Sequence, residues 1–286
     1  MSSYKIITDS CCDLSVDKLK ELDVTAVPLS FLFRGTSRPD AVTDEIKEVY
    51  DAMRAGESAT TSAANPEDWS KVIEPVLAAG QDALVIAFSS GLSTTYQSAV
   101  IAANDLMEKY PDRKVNVVDS LCASLGQGLL VWYACDKRDE GLSLEELTQW
   151  VENNKLSLCQ WFTVDDLYFL KRGGRISAAT ALVGTMLKIK PVLHVDENGK
   201  LISVSKSRGR KASIDALVEK MCQLAVGNND RITICHGDCL EDAEYLANQL
   251  KEKLGVKEVY IGYTGAVIGS HSGPGTLALF FLGKQR

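Results

Sequence analysis

The stretch Ala83 to Leu106 constrains the fold of this chain more than any other. Ala83 to Phe88 is an unbroken apolar run of strand length, a pattern that suits a strand buried on both faces. Tyr96 to Leu106 then shows the small and apolar spacing of a helix packed on a sheet. Between them stand the hydroxyl side chains of Ser89, Ser90, Ser93, Thr94 and Thr95, with Gly91 as the hinge. A strand that turns directly into a helix exposes the free N–H groups and positive dipole end of the first helical turn. With hydroxyl donors added, such a turn suits an anion, a phosphate or a carboxylate. The plainer reading is that Ser93 or Thr94 simply caps the helix.

Other strand ends carry similar chemistry. A short N-terminal strand ends in Thr8-Asp9-Ser10, and Lys114 to Val118 ends in Asp119-Ser120. Strands alternating with helices imply a mostly parallel α/β sheet, in which ligands bind beyond the carboxyl ends of the strands. Length and pattern predict two domains, residues 1–155 with a mostly parallel, Rossmann-like α/β sheet and residues 156–286, with a boundary near Leu156. Residues Arg34 to Asp40 read as a turn. A helix is expected from Thr43, its cap, to Met53. Ala59 to Pro66 reads as a polar loop offering Thr60, Thr61 and Ser62. A helix is expected from Ala178 to Leu187, and a basic turn at Arg208 to Lys211. His271 lies among Gly269, Gly273 and Gly275, which reads as a glycine-rich loop where an imidazole can meet an acid group.

Composition excludes several classes. At 286 residues, 45% hydrophobic and 24% charged, the chain has the profile of an ordinary globular protein. No apolar run approaches a membrane span and the start is no signal peptide, so a cytoplasmic location is expected. The eight cysteines fit a reducing compartment. Cys235 and Cys239 bracket His236 and Asp238, yet no second ligand cluster completes a zinc site, so no metal is expected. A net charge of −7 argues against nucleic acid. Lys171 to Lys211 nevertheless carries ten Lys or Arg against two acids, +8 net, leaving −15 for the remainder. A basic patch on an acidic protein suits a phosphate group or an acidic partner.

Several stretches together resemble the DegV family, which includes the fatty-acid-binding subunits of bacterial fatty acid kinase. They are Thr8-Asp9-Ser10, Thr61-Ser62, Phe88 to Ala99, Val118-Asp119-Ser120, Leu170 to Ser177, Lys190-Pro191 and Gly269 to Gly275. The resemblance implies a long-chain fatty acid held between two α/β domains, with no cofactor. It implies that Ser93 and Thr61 bind the carboxylate, with His271 in the same network and Ser62 and Thr94 beside them. Arg172, Arg175, Arg208 and Arg210 match basic positions facing the acyl phosphate or a kinase partner. The chain departs from the family at Ala63-Ala64, where Gln-Pro is usual, and at Thr95, where a Gly-Thr pair is usual; both change the pocket rim.

The expected function is therefore a carrier that makes transient contact with a membrane, encloses a fatty acid and presents its carboxyl group to a separate kinase. Roughly 14 buried methylenes at about 0.8 kcal/mol each supply about 11 kcal/mol gross, reduced by the cost of immobilising the ligand. A buried carboxylate is costly unless well hydrogen-bonded, which neutral hydroxyls and a helix N-terminus can provide. The competing reading is a serine-dependent lipid or ester hydrolase, with Ser93 or Ser89 as nucleophile and His271 as base. It lacks a Gly-x-Ser-x-Gly elbow. A third reading is an interaction module that docks through the basic segment.

Overall fold

The computed structural model describes residues 4–42, 45–177, 189–227, 229–284 and 286. Its strands form three sheets. Strands β1 (Tyr4–Asp9), β2 (Val24–Val27), β6 (Asp82–Ala87) and β7 (Val115–Asp119) make a parallel sheet in the order β2-β1-β6-β7. The apolar run at Ala83 explains the centre of this sheet: β6 is flanked by β1 and β7, and Ala83 to Ala87 are fully buried.

A small antiparallel sheet of β3 (Ser30–Phe33), β4 (Thr36–Pro39) and β5 (Thr60–Ser62) lies apart, in the order β4-β3-β5. Here the structure corrects two expectations. The segment Arg34 to Asp40 is not merely a turn; Arg34 and Gly35 make a two-residue hairpin with positive φ, and Thr36 returns along Phe33. Thr60, Thr61 and Ser62 are likewise a strand and not a loop, because β3 supplies a partner with Thr61 opposite Phe31.

The third sheet has six strands in the order β10-β9-β8-β13-β11-β12. These are β8 (Leu158–Thr163), β9 (Ile189–Val195), β10 (Leu201–Arg208), β11 (Arg231–His236), β12 (Glu258–Tyr263) and β13 (Leu277–Leu282). Only β11 and β12 pair in parallel. All its strands come from beyond residue 157, and all those of the other two sheets from before residue 120.

The described helices are α1 (Val16–Glu21), α2 (Ile46–Arg54), α3 (Pro66–Ala78), α4 (Thr95–Lys109), α5 (Leu125–Asp139), α6 (Leu144–Asn154), α7 (Leu167–Arg172), α8 (Arg210–Leu224), α9 (Leu240–Leu254) and α10 (Ala266–Ser272). Thr43 and the helix expected at Ala178 to Leu187 lie outside the described residues. Helix α3 starts at Pro66 behind a reciprocal cap, Asn65 on the Asp68 N–H and Asp68 on the Asn65 N–H. The expected basic turn at Arg208 is instead the end of β10 followed by the first turn of α8. None of the described helices is long and apolar enough to cross a membrane.

Helix α5 joins the two large sheets. It touches β1 and β6 on one side and β8, β11 and β13 on the other, so Leu125, Leu129 and Leu130 are fully buried. Its small residues permit this double contact. A methyl group on Gly128 would stand 2.6 Å from the Cys12 carbonyl, and one on Gly126 2.8 Å from the Phe280 ring. One hydrophobic core therefore runs from Ile6 and Leu84 through α5 to Phe162 and Phe280. Two further cores lie outside it, one around Trp69, Ile73 and Val85, the other around Leu217, Ile232 and Leu246.

The two large sheets are also pinned at their loops. Ser89 Oγ donates to the Gly199 carbonyl at 2.8 Å, in the turn between β9 and β10. That turn lies directly on Gly91, where a Cβ would meet the Asn198 and Gly199 carbonyl oxygens at 2.6 and 2.7 Å. Nearby, the Arg286 guanidinium donates to the carbonyls of Leu121, Lys155, Leu158 and Asp196, tying both halves of the chain together.

Candidate functional site

The carboxyl ends of β1, β6 and β7 lie side by side, and their acids build the loops above them. Asp9 accepts the N–H of Phe88 at 2.7 Å and of Cys11 at 3.1 Å. Asp119 accepts the N–H groups of Ser90 and Leu121, both at 3.1 Å. These carboxylates are therefore occupied by backbone and fix the hydroxyl-rich loop in place. Asp9 is fully buried without a cation, and desolvation pushes its carboxyl up to about 7.

The loop opens onto a cavity of about 570 Å³, within the range of small-molecule sites. Thr61, Ser62, Ser93, Thr94 and His271 all line it. Its apolar wall includes Leu29, Phe88, Leu92, Phe162, Leu170, Val195, Leu201, Val267, Ile268, Ala278 and Phe280. The cavity thus draws on β5 of the small sheet, on the six-stranded sheet and on the loops beyond the parallel one, with a polar rim and a mainly apolar lining.

At that rim, Thr61 Oγ1 and His271 Nε2 are 2.7 Å apart. His271 does not sit in a loop, as its glycine-rich surroundings suggest. It occupies the last turn of α10, which ends at Gly273 in the left-handed region, φ 83°. Burial, then the cations of Arg175 and Arg172, hold the imidazole down to about 4, so it is neutral at physiological pH. A methyl group on Gly173 would meet His271 Nδ1 at 2.1 Å. Glycine at this position is thus a requirement of close approach, while Gly174, φ 73°, supplies the left-handed turn after α7.

Ser93 Oγ lies 2.8 Å from Thr95 Oγ1 and accepts the Thr95 N–H at 3.2 Å. Thr94, at the helix start, makes no side-chain capping bond. The plain capping reading holds only for Ser93, which accepts a single N–H, that of Thr95. By position, Tyr96 and Gln97 at the start of α4 have no intrahelical acceptor, and Gln97 lines the cavity.

The hydrolase reading finds no geometry here. Ser89 is fully buried and bonded to Gly199. The imidazole of His271 is engaged with Thr61, and Ser93 with Thr95.

Helix α10 is anchored at its other end. Asp40 Oδ1 accepts the Val267 N–H at 3.2 Å, with the Ala266 N–H and the Ser10 hydroxyl close by. Asp13 Oδ2 accepts the Ser124 hydroxyl, while Oδ1 faces Gly265 without a hydrogen bond of ordinary geometry. A Cβ on Gly265 would stand 2.5 Å from Asp13 Oδ1 and 3.4 Å from Asp40 Oδ1. Burial raises both carboxyls, Asp40 to about 6 and Asp13 well above its ordinary value, the latter reinforced by Asp40. Sequence reading missed this pair. The spacing of Asp13 and Asp40 from Gly265 shows nothing until the chain folds.

The four arginines do not form one face. Arg175 lines the cavity and donates to the Leu92 carbonyl at 3.0 and 3.2 Å and to Gly173 at 2.5 Å, so it braces the rim from within. Arg172 is exposed, reaches the Ser270 carbonyl at 3.2 Å and stacks on Phe169. Arg210 is paired with Asp242 at 2.8 Å. Arg208 is exposed at the end of β10. Among the described residues no group of three His, Cys, Asp or Glu is placed to hold a metal ion.

A family model described as uncharacterised proteins of the DegV family matches residues 3–284. A DegV domain-containing protein of Clostridium perfringens is 44% identical, the match covering 100% of this chain and 99% of that one. A DegV family protein of Thermus thermophilus, solved for its fatty-acid binding, superposes with a TM-score of 0.88 at 33% identity, covering 98% of this chain and 99% of the other. The fatty acid kinase (Fak) B3 protein of Streptococcus pneumoniae, loaded with linoleic acid, superposes at 0.86 with 25% identity over 99% of both chains.

Proposed function

The chain belongs to the DegV family, and from that premise we propose that it is a cytoplasmic fatty-acid carrier that delivers its ligand's carboxyl group to a separate kinase. The observation that carries this reading is the cavity itself. Thr61, Ser62, Ser93, Thr94 and the neutral His271 contribute polar groups to a mainly apolar lining, with no carboxylate among the described lining residues. Such a site receives an anion with neutral donors, as a buried carboxylate requires. The solved relatives that bind fatty acids support it.

In this reading residues 1–155 and 156–286 act as two lobes that close around the acyl chain. The carrier is not itself an enzyme; nucleotide and metal belong to the kinase. Arg172 and Arg208, both exposed, face the partner, while Arg175 holds the rim. The ligand is drawn from the membrane surface during transient contact.

The test is mass spectrometry of the purified protein, native and then solvent-extracted. One fatty acid per chain is expected, and Ser93→Ala is expected to lower affinity about tenfold, the worth of one lost hydrogen bond to a charged group. A protein that neither retains nor takes up fatty acid would refute the reading. Arg172→Ala is expected to spare lipid binding and slow phosphorylation; equal turnover would remove Arg172 from the kinase interface.

A further inference from the structure

The inner wall of the cavity is not uniformly apolar. Thr264, Ser124 and Cys235 line it together, from the loop before α10, the residue before α5 and β11. Thr264 is fully buried, and Ser124 is nearly so. Ser124 Oγ lies 3.1 Å from Cys235 Sγ, and its proton is directed to Asp13. Its remaining lone pair is free to accept. Thr264 Oγ1 stands beside the Cys235 thiol and, among the described residues, has no hydrogen-bond partner of ordinary geometry. A hydroxyl buried in this way costs about 1–3 kcal/mol unless something meets it. A plain alkyl chain cannot.

We propose that Thr264 and Ser124 form a second polar subsite, one that receives a hydroxyl group borne partway along the acyl chain. This deepens the fatty-acid reading above and rests on it. The chemistry selects a hydroxyl. It can accept from Thr264 and donate to Ser124 at once, which a carbonyl cannot do. A charged group is excluded because no cation is placed there and burial has already driven Asp13 toward its neutral form. Position follows from α10. Thr264 precedes this helix and His271 stands in its last turn. The five helical steps from Ala266 to His271 rise about 7.5 Å along the axis, and Thr264 stands two residues before them. The subsite therefore meets the middle of a chain whose carboxylate is held beside His271.

The experiment is a binding titration of the full chain with stearate and with hydroxystearates bearing the hydroxyl beside the carboxylate, at mid-chain, or at the far end. The mid-chain acid is expected to bind about three- to tenfold more tightly than stearate, with no such gain for the other two. Thr264→Val should bring the ratio to about one, and Thr264→Ser should keep it. Equal affinities across the panel on the unmodified protein would overturn the subsite, including the case where an ordered water already occupies it. A preference that survives both Thr264→Val and Ser124→Ala would also overturn it. Loss of binding for stearate and every hydroxystearate alike would overturn the fatty-acid reading itself, and this one with it.

Discussion

Two helices meet the cavity from different sheets and use their positive ends in opposite ways. Helix α4 turns its N-terminus toward the cavity, with Ser93 and Thr94 at its mouth. Helix α10 presents its C-terminal turn, with His271, and has its N-terminus faced by Asp13 and Asp40, the latter bonded to the Val267 N–H. The same backbone feature is thus plugged by the protein's own carboxylates in one place and left to neutral hydroxyls in the other. The difference separates a helix that must be fixed from a helix that must receive. A carboxylate at the mouth of α4 would repel the very ligand that the site suits.

The comparison breaks most severely at Gly265. Gly265→Val would drive atoms into Asp13 Oδ1, 2.5 Å from the position of a Cβ. Overpacking and lost N–H bonds together are expected to cost about 4 kcal/mol in urea unfolding. A variant within 1 kcal/mol of the unmodified protein, on this order-of-magnitude scale, would show the anchor to be dispensable.

Next comes pH. Folding pushes Asp40 up to about 6 from the 3.8 of an unperturbed carboxyl, so between those values the folded chain keeps a proton that the unfolded chain has released. Its stabilising contribution is complete below the unfolded value and is lost as pH rises through about 6. His271, held down to about 4 from 6.5, works the other way: the unfolded chain is protonated in that interval, and stability rises with pH. Asp40→Asn removes the Asp40 share of the falling trend, worth about 3 kcal/mol, and leaves those of Asp9 and Asp13 and the rising one of His271, so the variant should gain stability relative to the unmodified protein from about pH 4 to about pH 6. Identical slopes in unfolding titrations would contradict this assignment.

At the mouth of α4, Ser93→Asp would convert the receiving end into a plugged one. Like-charge repulsion of the ligand carboxylate is expected to weaken fatty-acid binding about a hundredfold; an affinity equal to that of Ser93→Ala would show that charge at this position is irrelevant. The smallest effect is expected at Arg208, which neither helix uses. Arg208→Ala should change stability by less than about 0.5 kcal/mol, and a larger loss would assign it a structural role.

The sequence made the α4 end legible because its signal is local. A continuous apolar run, a hydroxyl cluster and a helical pattern stand side by side within Ala83 to Leu106. The α10 end was hidden because its parts are distant. Asp13, Asp40 and Gly265 meet only after the sheets assemble, and the glycines around His271 conceal a helix of seven residues. One of those glycines answers to packing: a Cβ at Gly269 would strike the Tyr50 hydroxyl at 2.4 Å. Strand β5 escaped for a related reason. Thr60, Thr61 and Ser62 show no apolar alternation, and only Phe31 and its neighbours across the ladder make them a strand. The +8 segment was legible as charge but not as surface. Folding turns Arg175 inward and pairs Arg210 with Asp242.

The seat of the Asn198-Gly199 turn on Gly91 has a consequence for inheritance. With backbone carbonyl oxygens 2.6 and 2.7 Å from where a Cβ would stand, position 91 has no room for a side chain while the turn keeps its course. The course of a turn in one half of the chain thereby limits what the other half can carry at position 91. A hybrid that joined residues 1–155 of one relative to residues 156–286 of another should fold only if the residue at 91 and the turn at 198–199 suit each other.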